Sequence, residues 1–251
     1  MQVTIIGTGN VATVLGKLIL SKGHTIHQVY GRNIDAARGL ATNLKASAID
    51  DFNNLNKDAD IYIVAVSDKS IETVCNQLDL YDKLILHTAG SVSKDVLKIV
   101  SNNYGVLYPI QSLRKTMDIE TPIPFLVDGS DTNTTLVVEI FAKTLSNKVA
   151  IGNDDKRLKL HTAAVFACNF VNFMYLQSAN FCEENNIDFS LLQALIEETA
   201  TRLRTHHPKD VFTGPAVRKD TATIKKHLEQ LNSNPAAQHI YKLISEMIMQ
   251  Y

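Results

Sequence analysis

The chain opens on a short β-branched run, Val3 to Ile6, followed at once by Gly7-Thr8-Gly9-Asn10-Val11-Ala12. The pattern Gly-x-Gly-x-x-Ala asks for a specific local geometry. The first glycine permits a tight turn from strand into helix, the second lets backbone approach a pyrophosphate, and the small Ala12 lets helix and sheet pack closely. The helix N-terminus then presents free N–H groups and the positive end of its dipole to the phosphates. A Gly-rich turn without a ligand is the plainer alternative. The strand before and the helix after satisfy the context test for a dinucleotide site, with Gly7, Thr8, Gly9, Asn10, Val11 and Ala12 as its phosphate-binding loop.

The residues that follow repeat the strand–helix alternation. Helical spacing of Val11, Val14, Leu15 and Leu18 predicts a helix over 10–21, and Thr25 to Tyr30 reads as a second strand. Asn33 is placed to cap a helix over 35–44, and Ile61 to Val66 is apolar throughout, as a parallel strand covered on both faces should be. A helix over 71–78, a strand over 83–87, a helix over 94–100 capped by Ser93, and a strand over 105–108 continue the series. Phe125 to Val127, a helix over 136–145 and a strand over 148–151 close it. With 11 glycines and 6 prolines in 251 residues, turn-rich all-β folds are disfavoured. The expected class is α/β: a Rossmann-like doubly wound sheet followed by an all-α region.

Charge and cysteine content narrow the partners. Twenty-five basic against 26 acidic residues give a net charge of −1, without the basic footprint of a nucleic-acid binder. The three cysteines, Cys75, Cys168 and Cys182, show no CxxC spacing, so disulfides and metal sites are not expected and the thiols read as reduced core residues. No leader pattern and no membrane-length apolar run is seen, so a cytoplasmic protein is expected.

After Asn153 no convincing strand remains. The expected domains are therefore 1–152, a nucleotide-binding sheet, and 153–251, a helical domain. Twelve of the 14 residues from Ala163 to Leu176 are apolar, the exceptions being Asn169 and Asn172. A helix apolar all round is expected to be buried. A helical half of this size has little else to cover it, so a homodimer through the C-terminal helices is expected.

Several polar residues are candidates for chemistry. An NAD site would carry an acidic residue at the end of the second strand. Here stand Arg32, suited to a 2′-phosphate, and Asn33, suited to a further hydrogen bond, so the cofactor expected is NADP. Ligands of parallel sheets lie beyond the strands' carboxyl ends, which selects Val66 and Ser67 with Asp68, and Thr88, Ala89 and Gly90 with Ser91. Tyr108 to Ser112 could complete the wall. His161, Asn169 and Asn172 share a narrow face of the long helix. They fit a proton donor (His161) with an orienting amide (Asn169), or equally a hydrogen-bonded core or dimer seam. His87 approaches from the sheet side as a second candidate donor. Asp220 reads as an N-cap to Thr223, with Arg218 a possible partner across the turn and His227 nearby. The roles of these three stay open, and His206-His207 is not read as a metal pair.

On GTGNVA, VYGRN, VAVSD, HTAG, YPIQS, HTAAVFACNF and TGPAVRKD with His227, the chain resembles the Rossmann-like proteins that carry the C-terminal domain DUF2520. These are similar to pyrroline-5-carboxylate reductase and to the 6-phosphogluconate dehydrogenase-like group. The resemblance implies an NADP-binding domain, a helical dimerisation domain and oxidoreductase chemistry on a substrate it does not identify. Arg218-Lys219-Asp220 departs from the usual Arg-Gly-Asp, which argues against a tight backbone contact at Lys219. The Gly-Gly-Thr-Thr stretch of pyrroline-5-carboxylate reductase is absent. So is the Lys-x-x-x-Asn of β-hydroxyacid dehydrogenases, since Val165 precedes Asn169 by four. Two functions remain: hydride transfer between NADP(H) and a small carbonyl or imine, or a non-catalytic NADP(H)-binding redox sensor or assembly protein.

Overall fold

Ile5, Ile63 and Leu86 pack on one side of a sheet, and Ile6, Val64 and Ile85 on the other, each at most 1% exposed. Adjacent strand residues point to opposite faces, so burial of both sets requires helices above and below. In the computed structural model, which describes residues 1–251, two compact units form: Met1–Asn169 and Phe170–Tyr251.

The first unit holds β1 (Gln2–Ile6), α1 (Asn10–Ser21), β2 (Thr25–Tyr30), α2 (Ile34–Leu44), β3 (Ser47–Ile49), β4 (Ile61–Val64), α3 (Asp68–Cys75), β5 (Leu84–His87), β6 (Tyr104–Pro109), β7 (Phe125–Gly129), α4 (Thr132–Leu145), β8 (Val149–Ile151) and α5 (Asp154–Ala164). The strand order is β3-β2-β1-β4-β5-β6-β7-β8. The strands β3 to β6 in that order are mutually parallel, so β1, β2, β4, β5 and β6 end on the same edge. The winding reverses between β1 and β4, the switch point where such sheets form a crevice.

The Rossmann-like reading of the N-terminal half holds, with local differences. β7 runs antiparallel to β6. The segment joining them contains no helix, so nothing carries the chain back across the sheet as a parallel partner requires. β4 stops at Val64, and α3 begins three residues before the apolar spacing suggests. The expected 94–100 helix is a single 3-10 turn, Lys94–Leu97, capped by Ser93. The edge strand β3 is three residues long and carries no readable alternation. The composition changes at Asn153 because that residue caps α5, its side chain accepting from the Lys156 amide at 3.0 Å. The contacts of α5 nevertheless stay with the first unit.

A π-helical turn, Val165–Phe170, separates α5 from α6 (Val171–Glu184). The second unit continues with α7 (Gln193–Thr201), α8 (Thr221–Gln230) and α9 (Pro235–Met249). Here the structure corrects one expectation. The apolar stretch from Ala163 to Leu176 is not buried within the chain: Phe173 and Leu176 are 45% and 51% exposed. Cys168 is likewise exposed, while Cys75 and Cys182 are buried.

Asp220 caps α8 as its position suggests, accepting from the Thr223 amide at 3.0 Å and hydroxyl at 2.7 Å. Both carboxylate oxygens are thereby engaged, and no ion pair with Arg218 forms. Lys219 sits in the left-handed region, at φ 54°. The turn therefore has the backbone that glycine prefers, although lysine occupies it. Left-handed backbone costs an L-residue about 1 kcal/mol or more. Lys219→Gly is expected to raise stability by about 0.5–1 kcal/mol, net of the glycine's added unfolded-state entropy. Chemical denaturation of the two proteins checks it, and an unchanged or lowered midpoint contradicts it.

Candidate functional site

At the switch point, the loop after β1 meets the end of β4. Gly7 has φ 131°, and a Cβ there would fall 2.3 Å from the Ala65 carbonyl oxygen. No side chain fits at that position. At Gly9 a Cβ would meet nothing within 4 Å, so the backbone there borders open space. Ala12 beneath it is fully buried between helix and sheet. The N-terminus of α1 has no side-chain cap and no acidic residue in its first turn. Its N–H groups are left for an anion, as the motif demands.

These residues line a cleft of about 660 Å³, together with Gly31, Arg32 and Asn33 after β2, and Val66, Ser67 and Asp68 after β4. A Cβ on Gly31 would lie 2.6 Å from Thr8 Cγ2, so the phosphate-binding loop and the end of β2 are in contact. Arg32 is exposed at the rim. Asn33 spends its Oδ1 on the Ala36 amide at 2.9 Å, which caps α2 and leaves only its Nδ2 for a ligand. Tyr30 stacks on Phe52 at 3.8 Å and forms the floor. Nothing acidic occupies the position that would bind ribose hydroxyls.

A second group gathers beyond β5 and β6. Thr88 and Ala89 are buried, and Gly90 lies under the ring of His161: a Cβ on Gly90 would fall 2.7 Å from His161 Nδ1 and 3.1 Å from Tyr108 Cε2. Tyr108 and His161 share a hydrogen bond, hydroxyl to Nδ1, at 3.0 Å. Burial raises the Tyr108 phenol above its usual range, and the Arg157 guanidinium pulls it back down. Ser91 donates to Asp68 at 2.6 Å, tying the loop after β5 to the start of α3.

His87, the other candidate donor, is fully buried. Its Nδ1 accepts from the Ala89 amide at 3.2 Å, which puts the ring proton on Nε2. Burial, and then Arg157, lower its pKa to about 4. The ring is a neutral strut under the loop and does not line the cleft. Asn169 is exposed on the π-helical turn and takes no part in the hydrogen bonds that join Tyr108, His161 and Gly90's loop.

Sequence reasoning missed Arg157 and Asp154. Arg157 is 1% exposed; its Nη2 donates to the Val92 carbonyl and, at 2.8 Å, to Asp154 Oδ1. Asp154 accepts in turn from the Lys94 amide at 3.3 Å. Burial raises the Asp154 pKa, but the Ser93 hydroxyl, Arg157 and Lys94 outweigh it and hold the carboxylate ionised. The available signal was spacing: Arg157 precedes His161 by four and so shares its face.

The fold and cleft define a Rossmann-like protein with a helical C-terminal region. A family model described as a domain of unknown function, DUF2520, matches residues 123–248. A second, described as NADP oxidoreductase, coenzyme F420-dependent, matches residues 2–90. Among solved structures, a Bacteroides fragilis protein provisionally named an NADP oxidoreductase is 37% identical, with TM-score 0.92, over 100% of this chain and 98% of that one. The chain belongs to the DUF2520 family. A Thermotoga maritima protein is 24% identical, with TM-score 0.81, over 99% and 98% of the two chains. The 1-pyrroline-5-carboxylate reductase of Streptococcus pyogenes is 14% identical, with TM-score 0.70, over 100% and 99%. No curated protein matches the chain.

The buried His87 makes stability depend on pH. Unfolded, its pKa returns to about 6.5; folded, it is about 4. Between these values only the unfolded chain binds the proton, so stability falls as pH drops from 6.5 to 4, by about 3 kcal/mol in all. His87→Phe is expected to flatten that part of the profile. Denaturation midpoints at pH 7 and pH 4.5 decide it, and equal losses in both proteins would show that His87 does not titrate as described.

Proposed function

We propose that the chain is an NADP(H)-dependent reductase of a small carbonyl or imine substrate. The observation that carries this reading is the His161–Tyr108 pair, hydrogen-bonded over Gly90 on the same sheet edge as the glycine-rich cleft. The cleft fits a dinucleotide: a loop where only glycine is tolerated at Gly7, open space at Gly9 and an uncapped helix end. The backbone of Gly7 to Ala12 would hold the diphosphate. Arg32, with Asn33 Nδ2, would hold a 2′-phosphate, and Val66, Ser67 and Thr88 to Gly90 the remaining half. The bound cofactor would supply or accept hydride. His161 and Tyr108 hold a proton at Nδ1 or the phenol, ready for the oxygen or nitrogen of a reduced double bond. Asn169 is the group we assign to orienting the substrate, and His87 supports the loop from inside. The name of the B. fragilis relative supports the cofactor, and that of the pyrroline-5-carboxylate reductase supports an imine among the substrates.

We further propose that the chain works as a homodimer in the cytoplasm. Exposed apolar side chains on three helices of the second unit support the dimer: Phe173 and Leu176 on α6, Leu195 on α7, and Leu243 and Met247 on α9. So many large apolar side chains left exposed on one small helical unit favour an interface. No helix is long and apolar enough to cross a membrane. Light scattering at micromolar concentration should give twice the chain mass of 27.8 kDa, and a monomer would contradict the dimer.

Two measurements test the enzyme. In cofactor titrations NADP(H) should bind more tightly than NAD(H), and Arg32→Ala should remove about 1.5–3 kcal/mol of that preference by deleting a charge-assisted contact. Equal wild-type affinities would refute the cofactor assignment. In NADPH oxidation assays over a panel of small imines and ketones, His161→Ala should lower turnover about 10²- to 10⁴-fold while leaving NADPH affinity unchanged. Retained turnover would remove His161 from the chemistry.

A further inference from the structure

Arg157 is the largest of the fully buried side chains, and it is a cation. Its Nη2 serves Asp154 and the Val92 carbonyl, while Nε and Nη1 are enclosed without a hydrogen bond. An enclosed charge so sparsely partnered adds little stability; an apolar side chain of similar volume would often do better. Its location suggests a different reason for its presence. Arg157 stands one turn before His161 on α5, and the carbonyl it grips belongs to Val92, two residues beyond the Gly90 on which His161 rests. Asp154, on the same helix face, takes the Lys94 amide from the same loop. Lys94 in turn anchors outward, its Nζ donating to Asp128 at 2.9 Å and to the Gly129 carbonyl at 2.8 Å. Three points of α5 therefore clamp one loop: Asp154 at Lys94, Arg157 at Val92 and His161 at Gly90.

We propose that Arg157 is the positioning residue of the site, clamping the Gly90–Lys94 loop to α5 so that His161 is held in one ring orientation against Tyr108. The inference rests on the reading of His161 and Tyr108 as the proton donor. Arg157 does not touch the reacting atoms; it acts through the loop and through its charge, which faces Tyr108 and His87. Removing one enclosed contact here should shift the ring without emptying the cofactor cleft, because Arg157 lies outside the residues that line it.

The test uses the full chain labelled with ¹⁵N-histidine, with the His161 ring signals assigned by their loss in His161→Gln. In the wild type His161 should show a single tautomer with Nδ1 hydrogen-bonded. In Arg157→Lys, which keeps the charge but not the fork, the Nδ1 and Nε2 signals should move toward averaged tautomers. NADPH affinity should change little, since of the residues assigned to the cofactor only Gly90 lies in the clamped loop, and turnover should fall about 100-fold, the scale on which small misplacements act. Should Arg157→Lys fail to fold, Asp154→Asn, at a less buried position, carries the same expectation. Wild-type His161 signals in a folded variant would overturn the proposal. If the signals shift as expected but His161→Ala leaves turnover intact, the positioning stands and the proton-donor reading is the one that fails.

Discussion

Everything at the site depends on how closely neighbouring groups can approach the backbone along one edge of the parallel sheet. Gly7 lies so near the Ala65 carbonyl that a single methyl group would collide with it. That contact joins β1 to β4 at the point where the winding reverses, and it aims α1 at the cleft. Gly31 repeats the device against Thr8, and Gly90 against His161. The three glycines fall after β1, β2 and β5, so the edge is a line of close approaches. Each one removes side-chain volume where a ligand or a ring has to sit.

A second constraint is burial of polar groups under that edge. His87 is kept neutral by its surroundings, whereas Asp154 is kept ionised by the donors around it. Arg157 links the two environments, since its charge acts on His87 and its guanidinium holds Asp154. The result is a loop fixed from below by a neutral ring and from the side by a charged pair. His161, only partly buried and hydrogen-bonded to the buried Tyr108, is the member of this group that a substrate could meet.

Much of this was legible in the residues alone. Gly7 to Ala12 could be read because the motif specifies backbone geometry, and β4 because a strand covered on both faces is apolar throughout. The reversal at β7 was not, since strand direction depends on what the connection does and leaves no periodic mark. Arg157 escaped because an arginine in a polar helix start reads as solvated surface; only the tertiary placement of Val92 turns it inward. His87 was visible as a histidine at a strand end, but its depth was not, because polar strand ends are found both in clefts and beneath them. The apolar helix after His161 was visible as apolar, yet composition cannot tell a helix covered within its own chain from one left exposed.

The central claim is that His161 and Tyr108 form the chemical end of a dinucleotide cleft. The most direct test is the position of the nicotinamide ring in a crystal structure of the protein with NADP⁺ bound. The account predicts that the ring lies along the Gly90 loop with its C4 edge facing the His161–Tyr108 pair, and with space between them for one small substrate. A nicotinamide directed away from that pair, or side chains filling the space between, would contradict it.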